Sequence, residues 1–115
     1  MTGKILFVSD DLLFWARFQA MAKSSGRDAR RIGDAAAMEG AFAEGGVARV
    51  IVDLGAKSVD ALAWAARWKG TETPPELIAY GAHVDEAALF AARAAGFDQV
   101  MPNSRFHRSL AEFAS

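Results

Sequence analysis

The sequence predicts a doubly wound α/β domain, a five-stranded parallel sheet with helices on both faces. Three observations carry this. Short apolar runs without clear alternation recur along the chain. Helix-length segments with apolar residues three and four apart separate them. The two kinds of segment alternate from one end of the chain to the other. Parallel strands buried on both faces read as unbroken apolar runs. Alternating β and α segments in a short chain build a parallel sheet with right-handed crossovers.

The first strand is KILFV (4–8), ended by the acidic turn Ser9-Asp10-Asp11. A helix over about 11–25 follows, with Phe14, Phe18, Met21 and Ala22 on one face and Gly26 as its stop. RDARRI (27–32) is a short, strongly basic second strand, a composition that protects an exposed sheet edge from pairing with another chain. The alanine-rich helix 35–44 ends at Gly45-Gly46. RVIV (49–52) is the third strand and runs into Asp53. The next helix, 58–69, carries Leu62, Ala65 and Trp68 at core spacing, with Ser58 or Asp60 as its cap, and its Trp64 and Trp68 are expected to cover the sheet. ELIAY (76–80) is the fourth strand. DEAALFAARAAG is a helix from Asp85 to Gly96. FDQVM (97–101) ends at Pro102, again an edge feature, and a short helix over 104–114 closes the chain.

At 115 residues the chain fits one domain spanning 1–115, without internal repeat or linker. A content of 52% hydrophobic and 23% charged residues is that of a soluble globular protein. A net charge of -1 argues against nucleic acid as a partner, and no apolar run is long enough to span a bilayer. The N-terminus lacks the flank and length of a secretory signal, and the absence of cysteine excludes disulfides and thiol chemistry. A cytoplasmic protein is expected.

Five strands favour the flavodoxin-like order 2-1-3-4-5, in which sites lie beyond the carboxyl ends of the strands. That places Ser9, Asp10, Asp11, Asp53, Gly81, Pro102 and Asn103 at one end of the sheet. A lone carboxylate there is either a reactive group or a solvated acid at a strand-to-helix turn. The same choice holds for Asp10 and Asp11, which are also the acids a helix N-terminus favours. His83 and His107 stand alone, without a paired carboxylate at ligand spacing, and read as surface residues.

With these motifs in place, the chain resembles the receiver domain of two-component response regulators over essentially its whole length. KILFVSDDLLF is similar to the family's first strand and acidic turn, with Ser9 on the first acid position and Asp10 on the second. Asp53 falls on the phosphoacceptor. DLGAKSVDAL keeps the family spacing at Leu54, Asp60 and Leu62, but has Ala56-Lys57 where Met-Pro is common and Ala61 where glycine is usual. LIAYGAHVDEAAL resembles the fourth strand and its turn, with Gly81 in the Ser/Thr position. AAGFDQVMPN resembles the approach to the fifth strand, with Val100 for the switch aromatic and Asn103 for the lysine. The resemblance implies that Asp10 and Asp53, with the Gly55 carbonyl, are the groups that could hold magnesium.

It also implies a degenerate pocket. A phosphoryl group on an aspartate concentrates negative charge that needs a cation and positioned donors. Asn103 offers no charge and Gly81 no side-chain donor, while Lys57 is badly placed to substitute. Loss of one acid at Ser9 and of the lysine at Asn103 removes a matched charge pair, so the pocket keeps its formal charge and folds without new repulsion. The chain is therefore expected to be a non-enzymatic, stand-alone signalling domain of pseudo-receiver type, needing no cofactor. It would act through protein–protein interaction without the usual phosphorylation switch, its output passing through a partner for want of an effector domain. The alternative is a response regulator phosphorylated on Asp53 with magnesium. Leu12 and Trp15, off the core stripe of the first helix, are the expected interaction surface. The expected partner is a signalling protein, a histidine kinase or an effector, or a second copy of the chain.

Overall fold

The middle of the sheet is set by β1 (Lys4–Val8), whose last four residues are all buried. A computed structural model describes residues 3–115; the first two positions of the expected 1–115 domain lie outside the described residues. β1 is flanked by β2 (Ala29–Ile32) and β3 (Val47–Asp53), and β4 (Glu76–Gly81) and β5 (Gln99–Pro102) complete the sheet. All four pairings are parallel, in the order β2-β1-β3-β4-β5. This is the flavodoxin-like order that the sequence predicts.

Residues along a strand alternate between faces, and here both faces are core. Leu6, Val8, Val50, Val52, Leu77 and Ala79 meet the helices α2 (Ala35–Glu44), α3 (Ala61–Lys69) and α4 (Glu86–Ala94). Ile5, Phe7, Ile51, Ile78 and Tyr80 meet α1 (Leu12–Ser24), α5 (Asn103–Arg108) and α6 (Leu110–Phe113). Trp64 and Trp68 of α3 are buried over the first of these faces. The second is an aromatic block in which Phe7 touches Phe14, Phe18, Tyr80 and Phe106.

Each of α1 to α4 starts where an aspartate accepts a hydrogen bond from the backbone N–H three residues on: Asp11, Asp34, Asp60 and Asp85, at 2.8–3.2 Å. Such caps satisfy donors that the helix cannot satisfy itself. Of the two caps the sequence allows for α3, Asp60 is the one used, which leaves Ser58 free for another role.

Several boundaries differ from expectation, among them β3, which begins at Val47 rather than Arg49, and α3, which begins at Ala61 rather than Ser58. Asp98 bonds Leu77 through both its backbone and its carboxylate, so the chain reaches β4 as a turn and β5 begins only at Gln99. β2 begins at Ala29 rather than at Arg27. The closing helix breaks at Ser109 into α5 and α6.

Candidate functional site at the carboxyl ends of the strands

Strand register brings three side chains into one row. Val8 is paired with Val52 and Asp53 with Tyr80, so Ser9, Asp53 and Tyr80 stand side by side on adjacent strands. Alternation turns all three toward the α1/α5 face.

Ser9 is fully buried, and its hydroxyl accepts the Asp11 N–H at 3.0 Å. Its carbonyl accepts a hydrogen bond from the Arg31 guanidinium at 2.9 Å, which ties the β1–α1 turn to β2. Asp11 is consumed as the α1 cap. Asp10 is exposed and turned toward the β3–α3 loop, where it accepts from the Ser58 hydroxyl at 2.8 Å and from the Lys57 N–H at 3.4 Å. Asp53 is half-buried and accepts the Gly55 N–H at 2.8 Å. Burial pushes its carboxyl above the usual range; the Gly55 hydrogen bond opposes this, and the nearby Asp10 and Asp11 carboxylates reinforce it.

Tyr80 is the residue that sequence reasoning missed. It is 3% exposed, and its hydroxyl is buried without a hydrogen-bond partner among the described residues. Burial, and then the Asp53 charge, push its ionisation well above that of an ordinary phenol, with Ser9 acting in the opposite direction. Its ring stacks on Phe106 at 4.1 Å with an interplanar angle of 1°. The signal was an aromatic at the end of an apolar run, which in isolation is indistinguishable from a core residue. Ser58 and Arg31 were also legible only as loop and edge residues, because their partners lie 48 and 22 positions away in sequence.

The degenerate positions separate. Gly81 pairs with Pro102 at the end of β4. A Cβ there would lie 3.3 Å from the Leu54 Cβ, so Leu54 occupies most of the room that a larger residue at 81 needs. Asn103 opens α5 and lines a hollow with Ala82, His83, Val84 and Ser104, and among the described residues it makes no hydrogen bond to Asp53. Val100 packs into the α2–α4 core. On α1, Leu12 is 60% exposed as expected. Trp15 lies half-buried against Phe7 and Phe18, with ring centroids at 5.9 and 6.5 Å. The more exposed apolar residue is Leu13, at 84%.

The donor set fits magnesium poorly in this arrangement. Both Asp10 oxygens already accept hydrogen bonds, one Asp53 oxygen is held by Gly55, and it is the Gly55 N–H that faces the carboxylate. Among the described residues, no three acidic or histidine side chains cluster as metal ligands.

No protein-family model matches the chain, and no curated protein is similar to it. Solved structures are. A receiver domain protein from Clostridium thermocellum superposes with a TM-score of 0.78 at 15% identity, over 97% of this chain and 90% of that one. A CheY-like receiver domain protein from Methanospirillum hungatei gives 0.75 at 12% identity, over 98% and 97%. The beryllofluoride-activated NtrC4 receiver domain dimer gives 0.76 at 14%, over 96% and 94%. The fold is that of response-regulator receiver domains. At these identities the likeness is one of fold, and the receiver fold accounts for why Ser9, Asp10, Asp53 and Gly81 meet at one end of the sheet.

Tyr80→Phe tests the unpaired hydroxyl. A buried donor without a partner costs about 1–3 kcal/mol, so the variant is expected to match or exceed the wild type in urea-induced unfolding. A loss above about 1 kcal/mol would show that the hydroxyl is bonded in solution.

Proposed function

We propose that this chain is a receiver-fold signalling domain that acts by binding another protein, with an output that does not depend on the usual aspartyl-phosphate switch. The observation that carries the reading is the state of the pocket: Asp10 is latched to the Ser58 hydroxyl and the Lys57 backbone N–H, Leu54 crowds Gly81, and Asn103, which lines a hollow with the β4–α4 loop, makes no hydrogen bond to Asp53 among the described residues. A phosphoryl group brings about -1.5 to -2 of charge, and these positions give it neither a cation nor a hydroxyl. The reading assigns the chain no catalysis of its own and no required cofactor, and it places the chain's action in the cytoplasm. No helix among the described residues is long and apolar enough to cross a membrane. Leu12, with Leu13 beside it and Trp15 beneath, belongs to the partner surface.

The test is acid-labile phosphate on the wild-type chain after incubation with magnesium and a small phosphodonor. Labelling far below one phosphate per chain is expected, with none in Asp53→Asn. Stoichiometric labelling of Asp53 with a tenfold change in partner affinity, about 1.4 kcal/mol, would establish a phosphorylatable response regulator instead.

A further inference from the structure

At the end of the sheet opposite Asp53 lies a hollow of about 520 Å³. β3 runs from Val47, in its wall, to Asp53, a separation of roughly 20 Å at the rise of a strand. Its volume falls within the range of small-molecule sites, about 300–1,000 Å³.

Three segments distant in sequence build the wall. The end of α2 supplies Phe42 and the turn at Gly45, β3 supplies Val47, and α3 with the loop after it supplies Trp68, Thr71 and Thr73. Gly45 has φ +74°, and a Cβ there would meet nothing within 4 Å, so the turn adds no side chain to the space. Phe42 and Trp68 are the flat surfaces, edge to face with ring centroids 4.8 Å apart. Trp68 is 4% exposed, and its indole N–H has no hydrogen-bond partner among the described residues. A phenylalanine would pack there without an orphan donor. The larger ring presents more flat area for stacking.

The charges nearby are spent or point the wrong way. No charged side chain lines the hollow among the described residues. Lys4, whose stem lies beside Gly46, pairs with Glu44, and Arg49 pairs with Glu76. Glu72, between the two threonines, is exposed and would repel an anion. A charged ligand would therefore lose hydration against a wall without a counter-charge. Two hydroxyls supply the polarity. Thr71 gives its proton to the Trp68 carbonyl at 2.7 Å, so toward a ligand it only accepts. Thr73 is exposed and has no side-chain partner among the described residues.

We propose that this hollow binds an uncharged planar aromatic molecule carrying an N–H or O–H donor, the chemistry of an indole or a phenol. The ring lies against Phe42 and Trp68, and the donor meets the Thr71 or Thr73 oxygen. The site is separate from the signalling reading above and does not depend on it.

The probe is indole, titrated into the full chain and followed by NMR. Saturable shifts are expected at the Trp68 indole N–H and at the Phe42, Val47, Thr71 and Thr73 amides, with residues 53–58 unmoved. Indene, which has the shape of indole without its N–H, should bind about 2–10-fold more weakly, the worth of one net hydrogen bond. Indole-3-acetate and tryptamine, which add a charge, should each bind about tenfold or more weakly than indole. Phe42→Leu keeps the wall apolar but removes a flat ring, and should weaken indole about threefold or more. Thr71→Val with Thr73→Val should erase the preference for indole over indene. Both threonines lie outside the hydrophobic core, so this comparison holds even where Phe42→Leu lowers the melting temperature. No saturable shift up to the solubility of indole, shifts centred on Asp53 or Phe90, or equal binding of either charged analogue would overturn the proposal. Tighter binding of a proline-rich peptide would overturn it too, by assigning the hollow to an extended chain.

Discussion

Phe106→Ala is expected to destabilise the domain by about 3–5 kcal/mol, a large share of the roughly 5–15 kcal/mol available to a domain. Phe106 is fully buried, stacked on Tyr80 at 4.1 Å and on Phe113 at 5.5 Å, with Phe14 at 5.9 Å and Phe7 at 6.2 Å. α5 has only six residues and no side-chain cap, so little besides this ring holds it on the sheet. Short isolated helices are marginal in water. Truncation would therefore remove a side chain and release the helix that carries His107 and Arg108. Chemical unfolding gives the stability, and near-ultraviolet circular dichroism reports the loss of the Tyr80 stack. A cost below about 1 kcal/mol would mean that α5 is held by other contacts.

Rebuilding the missing pocket groups should have the largest effect on chemistry. Gly81→Thr with Asn103→Lys restores a hydroxyl and a cation, and charge-assisted hydrogen bonds are roughly twice as strong as neutral ones. Leu54 complicates the first change. A Cβ at 81 would sit 3.3 Å from its Cβ and 3.5 Å from its Cδ1, so Gly81→Thr alone is expected to cost about 1–3 kcal/mol by overpacking. Adding Leu54→Ala removes the Cδ1 contact and frees space for the threonine side chain, while the Cβ contact at 3.3 Å stays. The triple variant is expected to label with a small phosphodonor about tenfold faster than the wild type, equivalent to about 1.4 kcal/mol of transition-state stabilisation. Labelling no faster than the wild type would show that the limit lies elsewhere, with the Asp10–Ser58 latch the next contact to remove.

Much of this molecule follows from local sequence because local forces act alone over short spans. KILFV, RVIV and ELIAY had to be buried strands, and strands buried on both faces need helices on both sides. Asp85 and Gly96 bound a helix by capping and by backbone freedom, with Gly96 at φ +95°. The parallel order, and with it the meeting of Ser9, Asp10, Asp53 and Gly81, then follows from connection rules with little tertiary detail.

Only packing decided the rest. Whether Asp10 is a free acid depends on Ser58, 48 residues away, and no spacing rule connects them. Trp15 sits off the apolar stripe of its helix, yet it is half-buried because Phe7 on β1 reaches it. Tyr80 became a pocket residue through its register with Asp53, which places a phenol beside a carboxylate on the next strand. Sequence periodicity determines which side of an element is apolar; what that side touches, and which charges are left without partners, is determined by contacts between residues distant in the chain.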